Sequence, residues 1–175
     1  YLLELTYNNN QEMTAAVYAV ENGFTYYETS NIDENPMYGF TVSWEETPSA
    51  LVHTHVYYNV DHPNNMLSNP DDTTGSGGAS DTNFTDTTGV IIYGAMPTGE
   101  LRVYRPGDEN KSGTLVSSDL IVDPKYTTYQ SYKNTIIWKL LDKLYPEIDK
   151  MDIIKAKVKH PDSLYNVLEE IGVIE

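Results

Sequence analysis

The chain contains no cysteine. That excludes disulfides, thiolate metal sites and a cysteine nucleophile. It also excludes the zinc site of nucleobase deaminases, which needs two Cys beside its His. Basic residues are missing from more than half the length: all eleven Lys and Arg lie at Arg102 or later, while residues 1–101 carry 14 acids. The net charge is −15. A surface of this sign repels nucleic-acid phosphates and anionic membranes and attracts cations and basic polypeptides. Solubility is the plainer reading of the same charge. No apolar run approaches the roughly 20 residues of a membrane helix. The opening YLLELTYNNN lacks the basic start and long apolar centre of a signal peptide. With no initiator Met, it reads as a piece of a larger parent polypeptide. The expectation is therefore no nucleic-acid partner and no membrane insertion. Phosphate-binding glycine loops, a nucleophile elbow and an ordered Ser-His-Asp set are missing too.

Histidine is also scarce. There are four, and three of them fall in LVHTHVYYNVDHP, Leu51 to Pro63. A strand points residues i and i+2 to the same face, roughly 6.6–6.8 Å apart at Cα. His53 and His55 in such a strand aim two imidazoles into one space, and Thr54 faces away. That spacing suits two ligands on one metal with Zn–N bonds of about 2.0–2.1 Å. A His-x-His pair is also compatible with two packed, half-buried side chains. In a cysteine-free chain the third ligand would be a carboxylate, and the acids downstream are Asp71, Asp72 and Asp81. The Asp71-Asp72 loop lacks the spacing of an EF-hand calcium site.

The rest of the chain reads as strands followed by helices. Ala15–Val20 and Phe24–Glu28 form a hairpin around Glu21-Asn22-Gly23. Asn31–Pro36 is a polar loop and Tyr38–Trp44 a further strand. Leu51–Tyr58 is a central strand. Asn59 to about Ala79 is a long polar loop. Ser80–Thr88 is a short helix capped by Ser80. Gly89–Ala95 is a second buried strand, and Pro97-Thr98-Gly99 turns it into Glu100–Tyr104. Ser131–Leu144 places Ile136, Ile137, Leu140, Leu141 and Leu144 on one helical face. Pro161–Ile171 is a second amphipathic helix that stops at Gly172, with His160 at its start. Tyr pairs such as Tyr26-Tyr27 straddle the faces of a sheet. Ser117-Ser118-Asp119 reads as a turn. The expected class is α/β, a mixed β-sheet flanked by helices, with C-terminal amphipathic helices.

His53-Thr54-His55 after an apolar strand, then an Asp-led helix, a strand and a hairpin, resembles the JAMM (JAB, MPN+) zinc metallopeptidases. The stretch GASDTNFTDTTGVIIYGAMPTGELRVYRPG is similar to uncharacterised bacterial JAMM-like domains of secreted and polymorphic-toxin proteins, with Gly89, Tyr93, Pro97, Gly99 and Leu101 at the matching places. The likeness covers about residues 10–106. It implies a JAMM or cytidine-deaminase-like sandwich, with residues 1–106 as the metal-binding core and 107–175 as a linker and helical extension packed on the same domain. It implies Zn²⁺ on His53, His55 and Asp81, with Asp71 (in the literal Ser68-Asn69-Pro70-Asp71) as the alternative third ligand. It implies Glu12 as general base, a peptide or isopeptide bond as substrate, and a place in a secreted or delivered bacterial protein. The chain departs from the pattern in two places: Val56 stands where the family has Pro after the second His, and Gly78 where it has the oxyanion-stabilising Ser. Ser76 or Ser80 is the nearest substitute. These losses leave open a catalytically inactive JAMM-like scaffold, or an acidic protein-interaction domain in which the histidines only pack.

Overall fold

A computed structural model of the chain describes residues 1–9, 11–29, 46–55, 60, 65–68 and 80–174. The class is α/β: the described residues form a six-stranded mixed sheet and six helices. They fall into two compact units, residues 1–57 with 64–121, and residues 58–63 with 122–175. The expected strand Tyr38–Trp44, the loop Asn31–Pro36 and most of Asn59–Ala79 lie outside the described residues.

The first unit holds α1 (Leu2–Asn9), β1 (Thr14–Val20), β2 (Gly23–Thr29), β3 (Ala50–Thr54), α2 (Asp81–Thr88), β4 (Ile91–Ala95), β5 (Leu101–Tyr104) and β6 (Thr114–Ser117). The strand order is β2-β1-β3-β4-β5-β6. Every neighbouring pair is antiparallel except β3 with β4, which run parallel. Parallel neighbours need a crossover, and α2 lies within it. Strand β6 comes from the stretch that the sequence suggested as linker.

The register explains the core. Ala16, Leu51, Ile92 and Tyr104 are partners in one row across β1, β3, β4 and β5. All four are buried, and Leu67, Val90 and Met96 close over them. Each large apolar side chain buried here stabilises the fold by about 1.5–3 kcal/mol. The next row on the same face is Thr14, His53, Gly94 and Arg102. Two residues along a strand preserve the face, so the sheet that buries Leu51 also buries His53.

Helix α2 is made of poor helix formers, DTNFTDTT. Its ends compensate. Ser80 accepts the Asn83 N–H at its start, and Gly89 at φ 77° takes the left-handed turn at its close. Helix α1 was not expected from the sequence. Its Thr6 hydroxyl meets that of Thr54 at 2.5 Å, which fixes Thr54 on the face opposite the histidines.

The second unit contains α3 (Pro124–Tyr132), α4 (Ile136–Leu144), α5 (Lys150–Lys159) and α6 (Leu164–Glu170). Its core is Tyr132, Trp138, Leu141, Ile153 and Ile154. The single helix expected over Ser131–Leu144 is broken. Thr135 caps a new helix by accepting the Trp138 N–H, and its own hydroxyl donates to the Tyr132 carbonyl. The break lets Tyr132 meet Trp138 edge-on at 5.9 Å. Helix α5 was missed because lysines interrupt its buried positions, Met151, Ile153, Ile154 and Ala156. The last helix begins after Ser163, its cap. His160 closes α5 rather than opening α6.

Candidate metal centre

Strand β3 delivers the two histidines. His53 lies inside the ladder between Thr14 and Gly94. The His55 N–H donates to the Ala95 carbonyl at 3.0 Å, which carries the β3–β4 pairing one residue further and fixes the second ring. The imidazole centroids are 5.0 Å apart, tilted by 36°. The two rings therefore share one space, as the alternation of a strand requires.

The third group comes from α2. Asp81 is the first residue of that helix, where the exposed N–H groups and the helix dipole favour a carboxylate. Its Oδ1 lies 3.3 Å from His53 Nε2, and its Oδ2 lies 3.6 Å from His55 Nε2. One ligand atom from each of the three residues lies within 4.8 Å of the others. In a tetrahedron with bonds near 2.05 Å, neighbouring ligand atoms are about 3.3 Å apart. The Oδ1–His53 Nε2 separation of 3.3 Å matches that edge.

A polar atom without a partner supports the fit. Among the described residues, His55 Nε2 is buried and makes no hydrogen bond; its distance of 3.6 Å to Asp81 is too long for one. Buried polar atoms are normally satisfied, and a cation among these three groups would satisfy this one. The His53–His55–Asp81 group could hold a metal ion.

Electrostatics tie the set together. Burial pushes the Asp81 carboxyl up, but the His53 charge and hydrogen bond, with His55 beside it, hold it well below the usual carboxylate range. Burial pushes His53 down, and the Asp81 charge and hydrogen bond outweigh it, so the net direction is up. The charge of Glu12 adds to that rise. Glu12 stands two residues before Thr14, the partner of His53 in β1. The Thr54 N–H donates to the Met13 carbonyl at 2.9 Å, so the pairing continues toward Glu12. Glu12 is outside the three-residue group but acts on it.

Two contributors had no clear signal in the sequence. Ser68 donates its backbone N–H to Asp81 Oδ2 at 2.8 Å, and its hydroxyl accepts the Asp81 N–H at 3.0 Å. Gly94 is the other. A Cβ built there would lie 2.5 Å from Leu67 Cδ2, 2.6 Å from Met96 Cε and 3.5 Å from His53 Cε1. A glycine inside a buried strand was the available hint of such a close approach.

Asp71, Val56, Ser76, Gly78 and His62 lie outside the described residues. Ser80 is engaged as the α2 cap. His160 meets Glu170 at 3.3 Å in the second unit. The Asp119 N–H donates to Ser117 Oγ at 3.2 Å, which is the expected turn. An apolar cavity of about 300 Å³, lined by Ala15, Val17, Phe24 and Val52 among others, opens on the face opposite His53 and takes no part in the site. No helix among the described residues is long and apolar enough to cross a membrane.

The fold and site define an α/β domain with a buried two-histidine, one-carboxylate group at the junction of a strand end and a helix start. No protein-family profile, curated protein or solved structure matches the chain.

Proposed function

We propose that the first unit is a zinc-dependent hydrolase of amide bonds, a peptidase or isopeptidase of the JAMM kind. The observation that carries this reading is the convergence of His53, His55 and Asp81, with His55 Nε2 buried and without a hydrogen bond among the described residues. Two nitrogens and one oxygen are a donor set suited to zinc, and three protein ligands leave a position for substrate or water. A zinc ion held there would polarise a carbonyl and lower the pKa of water toward about 7.

The chain's own residues supply the rest. Asp81 stays ionised, held so by the histidines, and is ready as a ligand without first losing a proton. The Glu12 carboxylate, whose charge acts on His53, takes a proton from the attacking water and delivers it to the leaving amine nitrogen. A positioned acid–base of this kind contributes about 10²–10⁴-fold to rate. The acidic first unit would favour a peptide substrate with basic residues.

The His53–Asp81 contact at 3.3 Å favours a second reading. A buried imidazolium–carboxylate pair is satisfied without metal, so the unit would be an inactive scaffold or acidic interaction domain. Metal analysis separates the two. Untagged protein prepared without chelator should carry about one zinc per chain, lost in His53→Ala and Asp81→Ala. Glu12→Gln should keep the zinc and lose peptidase activity. Wild-type protein with no bound divalent metal would sink the hydrolase and leave the scaffold.

A further inference from the structure

We propose that Ser68 is a positioning residue for the metal centre: it holds the Asp81 carboxylate in one rotamer and reserves one of its oxygens, so that Asp81 would bind a metal through Oδ1 alone. The inference rests on the metal-site reading above and adds a residue to it.

The geometry around Ser68 is reciprocal. Its N–H donates to Asp81 Oδ2 at 2.8 Å, and its Oγ accepts the Asp81 N–H at 3.0 Å. Its carbonyl accepts the Thr82 N–H at 3.2 Å. Three polar groups of one residue are thus spent on two adjacent residues of the α2 start. The first N–H groups of a helix have no partner within the helix, and Ser68 satisfies two of them. The contact at Oδ2 leaves Oδ1, 3.3 Å from His53 Nε2, as the oxygen turned to the first histidine.

Ser68 is itself anchored. Leu67 is fully buried in the core cluster, and its backbone N–H reaches the Ser112 carbonyl at 3.4 Å. Leu67 Cδ2 lies over Gly94, the β4 partner of His53. One short segment therefore packs against the strand row that carries His53 and binds the helix start that carries Asp81. A ligating carboxylate is normally fixed by hydrogen bonds of this sort, and removing them typically costs about 10–100-fold in metal affinity.

The test uses the full chain and zinc itself. Zinc affinity is measured by competition with a chromophoric chelator for wild type, Ser68→Ala and Ser68→Thr. Co²⁺ is then substituted and its visible spectrum recorded, because that spectrum reports how the carboxylate binds and a general loss of stability would not change it. Ser68→Ala keeps the N–H that binds Oδ2 but loses the Oγ that accepts the Asp81 N–H and pins the two residues together; it should bind zinc about 10–100-fold more weakly and alter the Co²⁺ spectrum. Ser68→Thr, which keeps the hydroxyl, should restore both. Ser68→Ala with wild-type affinity and an unchanged spectrum would overturn the hydroxyl's part in the positioning and leave the metal site standing. A wild type that binds neither metal would overturn both together. The Ser68 amide of the wild type tests the contact to Oδ2 directly, and it decides alone if Ser68→Ala does not fold. A slowly exchanging amide whose ¹⁵N resonance moves on zinc titration supports the role; a fast-exchanging one overturns it.

Discussion

Asp81→Asn removes one charge from the centre and almost no volume, so its effect isolates the electrostatics. At 3.3 Å, unit charges attract by about 5 kcal/mol at an effective dielectric of 20. Desolvation opposes this, because the two side chains are only 2% and 11% exposed. A hydrogen bond to a charged group is worth about 1.5–3 kcal/mol net, and that is the expected loss for the metal-free protein. The loss should depend on pH. The Asp81 carboxyl is lowered from an ordinary 3.8, so its contribution is complete above 3.8 and fades as pH falls through the lowered value. His53 is raised from 6.5, so its contribution is complete below 6.5 and fades as pH rises through the raised value. The metal-free wild type should therefore exceed Asp81→Asn most between pH 3.8 and 6.5, with the gap closing above and below. Urea unfolding in EDTA, followed by circular dichroism from pH 3 to 9, measures it. Equal stability at pH 5.5, or a difference that ignores pH, would refute the pairing. Zinc at a thousandfold above its Kd should add about 4 kcal/mol to the wild type and far less to the variant.

Other outcomes follow from the packing. Gly94→Ala sets a Cβ against Leu67 and Met96 at 2.5 and 2.6 Å; overpacking should cost about 1–3 kcal/mol, visible as a lower melting temperature. A Gly94→Ala protein that melts at or above the wild type would refute the close approach. Ser80→Ala removes the α2 cap and should cost about 1 kcal/mol, read by urea unfolding. Trp138→Ala empties the centre of the second unit and should cost about 3–5 kcal/mol, with amide exchange accelerated across α3 to α5.

What the sequence revealed follows its periodicity. The first hairpin, the ends of α2 and the His-x-His strand could be read because alternation, a capping serine and a terminal glycine are local signals. The start of α2 at Asp81 was also within reach, since Ser80 marks it; the place of Asp81 beside the histidines was expected only from the family resemblance. The pairing of Ser68 with Asp81 was not, because thirteen residues separate them and no periodicity links a loop residue to a helix cap. The break at Thr135 was hidden by an apolar stripe that continues across it. Helix α5 was obscured by its lysines, which interrupt the buried positions Met151, Ile153, Ile154 and Ala156. The strand β6, with three of its four residues exposed, had no buried face to advertise it.

The parallel pairing of β3 with β4 has a consequence for biogenesis. Antiparallel hairpins such as β1–β2 can close as soon as their turn leaves the ribosome, and β3 can pair with β1, but its second neighbour begins 37 residues after its own end, at Ile91. Contacts of such sequence separation form late, because the chain must first be brought back on itself. His53 and His55 are synthesised before the β4 carbonyl that receives the His55 N–H and before Asp81, which completes the group. Metal capture would then mark completed folding of the first unit and could not guide its early steps.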